Sequence, residues 1–382
     1  MAKKNDSYTL YDYLDWRGDL MFTENHLNEV DALIFSILSY TDMKKLINYD
    51  DDPVTVREMN KRYIKEGIDQ SALVYNPAPL LDKCSSTHRF GGIEISHYVD
   101  ILHDSHEIQF SACTFQLNEE TAFVAFRGTD NTVVGWREDF NMTAESSIPA
   151  QKHAAEYLSR DFLNKYRTIY TGGHSKGGNL AVYGSAFCIP ETRKKISLVF
   201  SNDGPGFRPE IWETPEIQAI LPKMKKIIPS TSVIGLLLDH VSDTSIISST
   251  LPAFLSHDPY SWKVLGNRFV RENELSSVSK YIINVFNQWI STISDKERSE
   301  FIDTVFDTLS ESGITKVGQL RHDPIKTYTA LYNAFSQSDP KKQQLVTELF
   351  ARLAKTGTNT AFQELRKSLL QQNPDPDDNI AV

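Results

Sequence analysis

Apolar positions in the first part of the chain recur with the period of a helix. Val30, Leu33, Ile34, Ile37 and Leu38 share one helical face, the spacing expected when a helix buries a single side. Thr55, followed three residues later by Glu58, has the spacing of a capping box and predicts the start of a second helix. From about Phe90 the rhythm shortens. Ile93, Ile95, Val99 and Ile101 alternate with polar positions, which is the pattern of a half-buried strand. A second strand is expected over 107–117, its alternation slipping near Thr114 and Phe115, and a third over 121–127 beyond the polar turn 118–120. Short connections between three strands predict an antiparallel meander.

The pattern then alternates between the two periods. A helix over 149–166 leads to a short strand at 168–172, a Gly-rich turn and a helix reaching about Phe187. Strands at 197–201 and 225–228 follow, and the apolar run 233–238 reads as helix. Alternation of this kind implies parallel strands with crossover helices. The fold class expected is therefore α/β, a mixed and mostly parallel sheet with flanking helices, plus a helical C-terminal region. Beyond about Ser276 only helical faces remain: Phe301, Ile302, Val305, Phe306 and Leu309; Leu345, Val346, Leu349, Phe350 and Leu353; then Phe362, Leu365 and Leu369. The expected organisation is a catalytic-type domain over 1–275 with N-terminal helices, a helical domain or cap over 276–371, and a disordered tail over 372–382.

Composition narrows the class. The 382 residues are 40% hydrophobic and 24% charged, with a formal net charge of -10, which argues against a nucleic-acid footprint. The first residues carry lysines with no apolar stretch behind them, and no run approaches a bilayer span. Cys84, Cys113 and Cys188 are scattered and odd in number, as expected of reduced thiols in a cytoplasmic protein rather than a zinc or disulfide framework.

The densest chemical signal is Tyr170-Thr171-Gly172-Gly173-His174-Ser175-Lys176-Gly177-Gly178-Asn179. Gly173, Ser175 and Gly177 form G-x-S-x-G between a predicted strand and a predicted helix. A nucleophile at the apex of such a turn adopts a strained backbone, and small residues two positions either side let the flanking chain pass closely. The following helix directs its amide end at the place where negative charge develops in acyl transfer. A phosphate cradle is the rival reading, but neither G-x-x-x-x-G-K-[ST] nor G-x-G-x-x-G is present. A second oxyanion donor belongs on the loop after a neighbouring strand. Arg127-Gly128-Thr129-Asp130 supplies it, with Thr129 offering its amide beside that of Lys176.

Phe126-Arg127-Gly128-Thr129, then Trp136 and Asp139, then Gly-His-Ser-Lys-Gly-Gly resembles the class 3 (fungal-type) lipases and their uncharacterised bacterial relatives. The resemblance covers about Phe90 to Trp262. It implies an α/β-hydrolase fold, a Ser-His-Asp triad, Thr129 as the oxyanion residue, and a flap over the site through 133–136. Chain order in this fold is Ser, acid, His. Of the histidines at or beyond the elbow, His174 is expected to shape the turn and His322 to be solvated or capping; His257, in a turn-prone loop, is preferred over His240. The acid is open. Asp203 ends the strand after the elbow helix, while the family's usual position carries Ser230-Thr231-Ser232; Asp239 and Asp243 are the alternatives.

The expected function is a serine hydrolase that cleaves carboxylic esters through an acyl-enzyme, needing no cofactor or metal. Its partner is a small acyl ester, lipid esters being one option because the stretch between Asp203 and His257 is apolar. A peptidase on the same fold is a further reading. A different class of function, a non-catalytic binding protein on a hydrolase scaffold, is motivated by the serines at the acid position. A protein partner or self-association through the C-terminal helices is left open.

Overall fold

The computed structural model describes residues 8–68, 76–103, 108–130, 132–238, 243–313, 333 and 335–372, without the side chains of 253–254 and 359–372. Asp239, His240, His322 and the expected tail beyond Gln372 lie outside the described residues.

The sheet has eight strands in chain order: β1 (Val54–Thr55), β2 (Glu94–His103), β3 (Ile108–Asn118), β4 (Thr121–Phe126), β5 (Thr168–His174), β6 (Ile196–Asn202), β7 (Met224–Pro229) and β8 (Thr244–Ile247). The first four pair antiparallel, and every pairing from β4 to β8 is parallel. The meander is thus continued by a parallel half, as the two sequence rhythms require. The slip expected near Thr114 and Phe115 is displaced: the register shifts between Ser96 and Val99 on β2 and between Gln116 and Asn118 on β3. A separate hairpin joins β9 (Val264–Leu265) and β10 (Arg268–Phe269).

The helices before β2 are α1 (Leu10–Arg17), α2 (Glu29–Leu38), α3 (Val56–Glu66), α4 (Ala78–Ser85) and α5 (His88–Gly91). Thr55 does cap α3, accepting from the Glu58 amide. Further along come α6 (Val133–Asn141), α7 (Pro149–Tyr157), α8 (Lys176–Phe187), α9 (Pro190–Lys195), α10 (Pro209–Trp212) and α11 (Pro215–Ile220). After them follow α12 (Ser277–Ser291), α13 (Asp295–Glu311) and α14 (Pro340–Gln372). Three expected elements differ. The helix beginning at Pro149 stops at Tyr157, and a separate 3-10 turn spans Asp161–Lys165. The apolar run 233–238 forms only the 3-10 turn Ile234–Leu236, with Leu238 at φ +54°. Strand β8 stands where none was expected.

Both faces of the sheet are covered, which explains why β4 reads as an uninterrupted apolar run. Phe123 and Ala125 face the layer built on α2, where Phe35 meets the rings of Phe115 and Phe123. Ala122, Val124 and Phe126 face the layer of α7 and α8. At about 25 cal/mol per Å², burying one such Phe contributes about 2–3 kcal/mol. The C-terminal helices pack on one another through Trp289, Ile293 and Leu349. They also join the rest of the molecule: Ile302 and Phe306 of α13 bury Val133 of α6.

Candidate active site

The loops that follow β4, β5 and β6 meet at the carboxyl edge of the parallel half, where open α/β sheets present their ligand-binding groups. Ser175 lies between β5 and α8 with φ +59° and ψ -132°, a conformation that costs a non-glycine residue about 1–3 kcal/mol. Packing imposes it. A Cβ at Gly173 would collide with the Gly177 backbone, and one at Gly177 with the Phe126 carbonyl. Any side chain at either position would push strand and helix apart.

His257 ends the 3-10 turn Ala253–His257. Its Nε2 lies 2.9 Å from Ser175 Oγ, and its Nδ1 2.6 Å from Asp203 Oδ2. Asp203 is fully buried, has φ +50°, and donates its amide to the Ile227 carbonyl at 2.8 Å. Ser232 donates its hydroxyl to Asp203 Oδ1 at 2.5 Å. The serine standing where the resemblance expects an acid therefore serves the carboxylate that occupies the neighbouring strand end. Asp243 is exposed just before β8. The structure thus brings Ser175, His257 and Asp203 into one hydrogen-bonded chain.

His174 does more than shape the turn. It is buried, and its Nε2 lies 2.9 Å from the His257 carbonyl. Burial, reinforced by the neighbouring His257 ring, pushes its pKa well below the usual range. A neutral ring donates that bond and tethers the backbone of the second histidine. Trp262 tethers the same turn, donating Nε1–H to the Ser256 carbonyl at 2.9 Å. Asn179 of α8 donates to the carbonyls of Pro205 and Gly206, holding the loop that carries Asp203.

The opposite side of Ser175 is ionic. Gly128 packs so tightly that a Cβ there would strike Tyr40 Oη and the His174 carbonyl. Thr129, almost buried, donates its hydroxyl to Asp139 Oδ2. Lys176 opens α8, so its amide lacks an intrahelical acceptor. Its side chain runs inward and is fully buried. Nζ donates to Glu138 at 2.9 Å, to the Gln109 carbonyl at 3.0 Å and to Gln109 Oε1 at 2.6 Å. Asp139 Oδ1 faces the same ammonium at 3.6 Å. Burial lifts the Asp139 carboxyl to about 6, against the pull of Lys176 and the Thr129 hydroxyl, although its side chain is still 21% exposed.

The segment 133–136, expected as a flap, is the first turn of helix α6. Trp136 joins the small apolar cluster with Val133 and Phe306. Glu138, Gln109, Ser232 and the tethers from His174 and Trp262 were not anticipated. Only Ser232 carried a local signal, by standing at the family's acid position.

Residues 84–307 match the model of the Mbeg1-like family, more than half of the chain. The chain belongs to the Mbeg1-like family. The matched region runs past the boundary at 275 expected from the hydrophobic pattern and takes in most of α13. No curated protein matches. Among solved structures, M37 lipase is similar at 14% identity and TM-score 0.35, over 56% of this chain and 70% of that one. A Rhizomucor miehei lipase in its propeptide complex is similar at 11% identity and TM-score 0.33, over 65% and 78%. Among the described residues, no helix is long and apolar enough to cross a membrane, and no cluster of metal-binding side chains occurs.

Proposed function

We propose that this Mbeg1-like protein is a serine hydrolase of carboxylic esters, of the lipase-like kind that its motifs resemble. The observation that carries the reading is the chain from Ser175 Oγ through His257 to Asp203, at 2.9 and 2.6 Å, on a strained strand-to-helix turn. His257 takes the Ser175 proton as Oγ attacks the acyl carbonyl. Asp203 fixes the tautomer with Nδ1–H toward itself and stabilises the imidazolium. The amides of Thr129 and Lys176 receive the oxyanion, the alcohol leaves with the proton from His257, and water repeats the sequence to free the acid.

Esters of apolar acids suit the site best. The stretch between Asp203 and His257 is apolar in sequence, and Leu251 and Leu255 on it are exposed. Against a non-catalytic scaffold stands the hydrogen bond from Ser232 to the Asp203 carboxylate, which lies 2.6 Å from His257. Cytoplasmic residence belongs to the same proposal and rests on three buried, unpaired thiols.

Fluorophosphonate labelling beside hydrolysis of short- and long-chain nitrophenyl esters tests the reading. Label and turnover should both disappear in Ser175→Ala. Turnover that survives Ser175→Ala, or a folded wild type that neither labels nor turns over, overturns it.

A further inference from the structure

Lys176 is an expensive residue. Its ammonium and the Glu138 carboxylate are both fully buried at 2.9 Å. A buried ion pair is generally no more stabilising than apolar side chains of similar volume. Stability alone therefore gives no reason for a charge immediately after the nucleophile, and the partners of the ammonium suggest another. All three of its donors are used, on Glu138 and on both oxygens of Gln109. Gln109 Nε2 reaches the Gly128 carbonyl at 3.5 Å, a long contact, and the Gln109 backbone N–H donates to Glu138 at 3.1 Å. Asp139, 3.6 Å from the ammonium, takes the Thr129 hydroxyl. Glu138 is itself tied to the Ala150 amide at 2.9 Å, so the network is anchored to α7 as well as α6. One cation is thus linked to both residues of the Gly128-Thr129 loop, through Gln109 and Asp139, from the position directly after Ser175.

We propose that the Lys176 side chain is a positioning residue for the oxyanion site: through Gln109 it sets the Gly128 backbone, and through Asp139 it sets the Thr129 hydroxyl. The inference rests on the hydrolase reading above. It makes Lys176 bifunctional, its amide touching the reacting oxygen and its ammonium aligning the second donor. Alignment matters because oxyanion donors act only when held where charge appears.

The test uses the full chain and a nitrophenyl ester. Lys176→Met alone leaves two carboxylates buried beside an apolar tail and is at risk of misfolding. The principal variant is therefore Lys176→Met combined with Glu138→Gln, which removes the ammonium together with its closest anion. Its kcat should fall about 10- to 100-fold with KM within a few-fold, because only transition-state binding is lost. Thr129→Val, which removes the hydroxyl and keeps the amide, should lower kcat in the same way. Adding Thr129→Val to this double variant should cost little more, since both act on one donor. A structural role alone would spare kcat in the folded, probe-labelled fraction. The positioning role is overturned by an unchanged kcat per labelled site, or by losses that multiply. In either case wild-type labelling at Ser175 leaves the hydrolase reading standing. Loss of that reading would instead show as turnover insensitive to Ser175→Ala.

Discussion

The two sides of Ser175 are held by different physics. On the histidine side, a short chain of hydrogen bonds joins three loops, each ending or following a strand, and the supports are uncharged donors: His174 and Trp262 on the histidine turn, Asn179 on the acid loop and Ser232 on the Asp203 carboxylate. On the oxyanion side, a buried ammonium and two adjacent carboxylates of α6 fix a glycine-containing loop. That helix is in turn covered by α13, where Arg137 meets Asp303 at 2.6 Å and Asp307 at 3.1 Å, and Phe140 meets Phe306. In the proposed mechanism the acid–base groups need a proton path, which hydrogen bonds define. In that mechanism the oxyanion groups need fixed backbone amides, and a charged network braces the tightly packed Gly128-Thr129 loop that would carry one of them.

The comparison breaks first at Asp203. Asp203→Asn keeps the shape but presents the wrong partner to His257, so turnover should fall about 10⁴-fold. Steady-state kinetics measure it; wild-type turnover in this variant would hand the acid's role to Asp239 or Asp243. The other side breaks as stability. Glu138→Leu strands the Lys176 ammonium without its closest anion, and unfolding in urea should register a loss of about 3–5 kcal/mol. A loss below about 1 kcal/mol would mean the pair is not buried as described.

The smallest effect is a pH dependence. Burial raises the Asp139 carboxyl from its ordinary 3.8 to about 6. Between those values the folded chain keeps a proton that the unfolded chain has lost, so this group's contribution to stability declines as pH rises through the window. Asp139→Asn should remove that decline. Its stability relative to wild type should improve by about 1–3 kcal/mol between about pH 4 and about pH 7. Equal slopes for the two proteins would place Asp139 in water.

Much of the fold was legible because its elements are long and strongly patterned. The meander, the alternating half and α2 follow from periodicity alone. What escaped was short: β8 spans Thr244–Ile247, and β9 and β10 two residues each, too few to display a period. The run 233–238 misled because an apolar stretch without flanking pattern cannot separate helix from irregular packing.

At the site, sequence by itself determined the elbow. Gly173, Ser175 and Gly177 carry their own steric reason, and the strand and helix around them are local. It also named His257 and Asp203, but left Asp239 and Asp243 open, since three acids along a chain do not reveal which strand end each occupies. Tertiary structure placed Asp203 beside His257, by pairing β6 with β7 and pinning the Asp203 amide to Ile227. It alone decided the inward course of the Lys176 side chain. That choice depends on Glu138 and Gln109, 38 and 67 residues away. A lysine on a glycine-rich turn looks solvated until distant carboxylates close around it, because burial is a property of what folds over a residue and not of its neighbours in the chain.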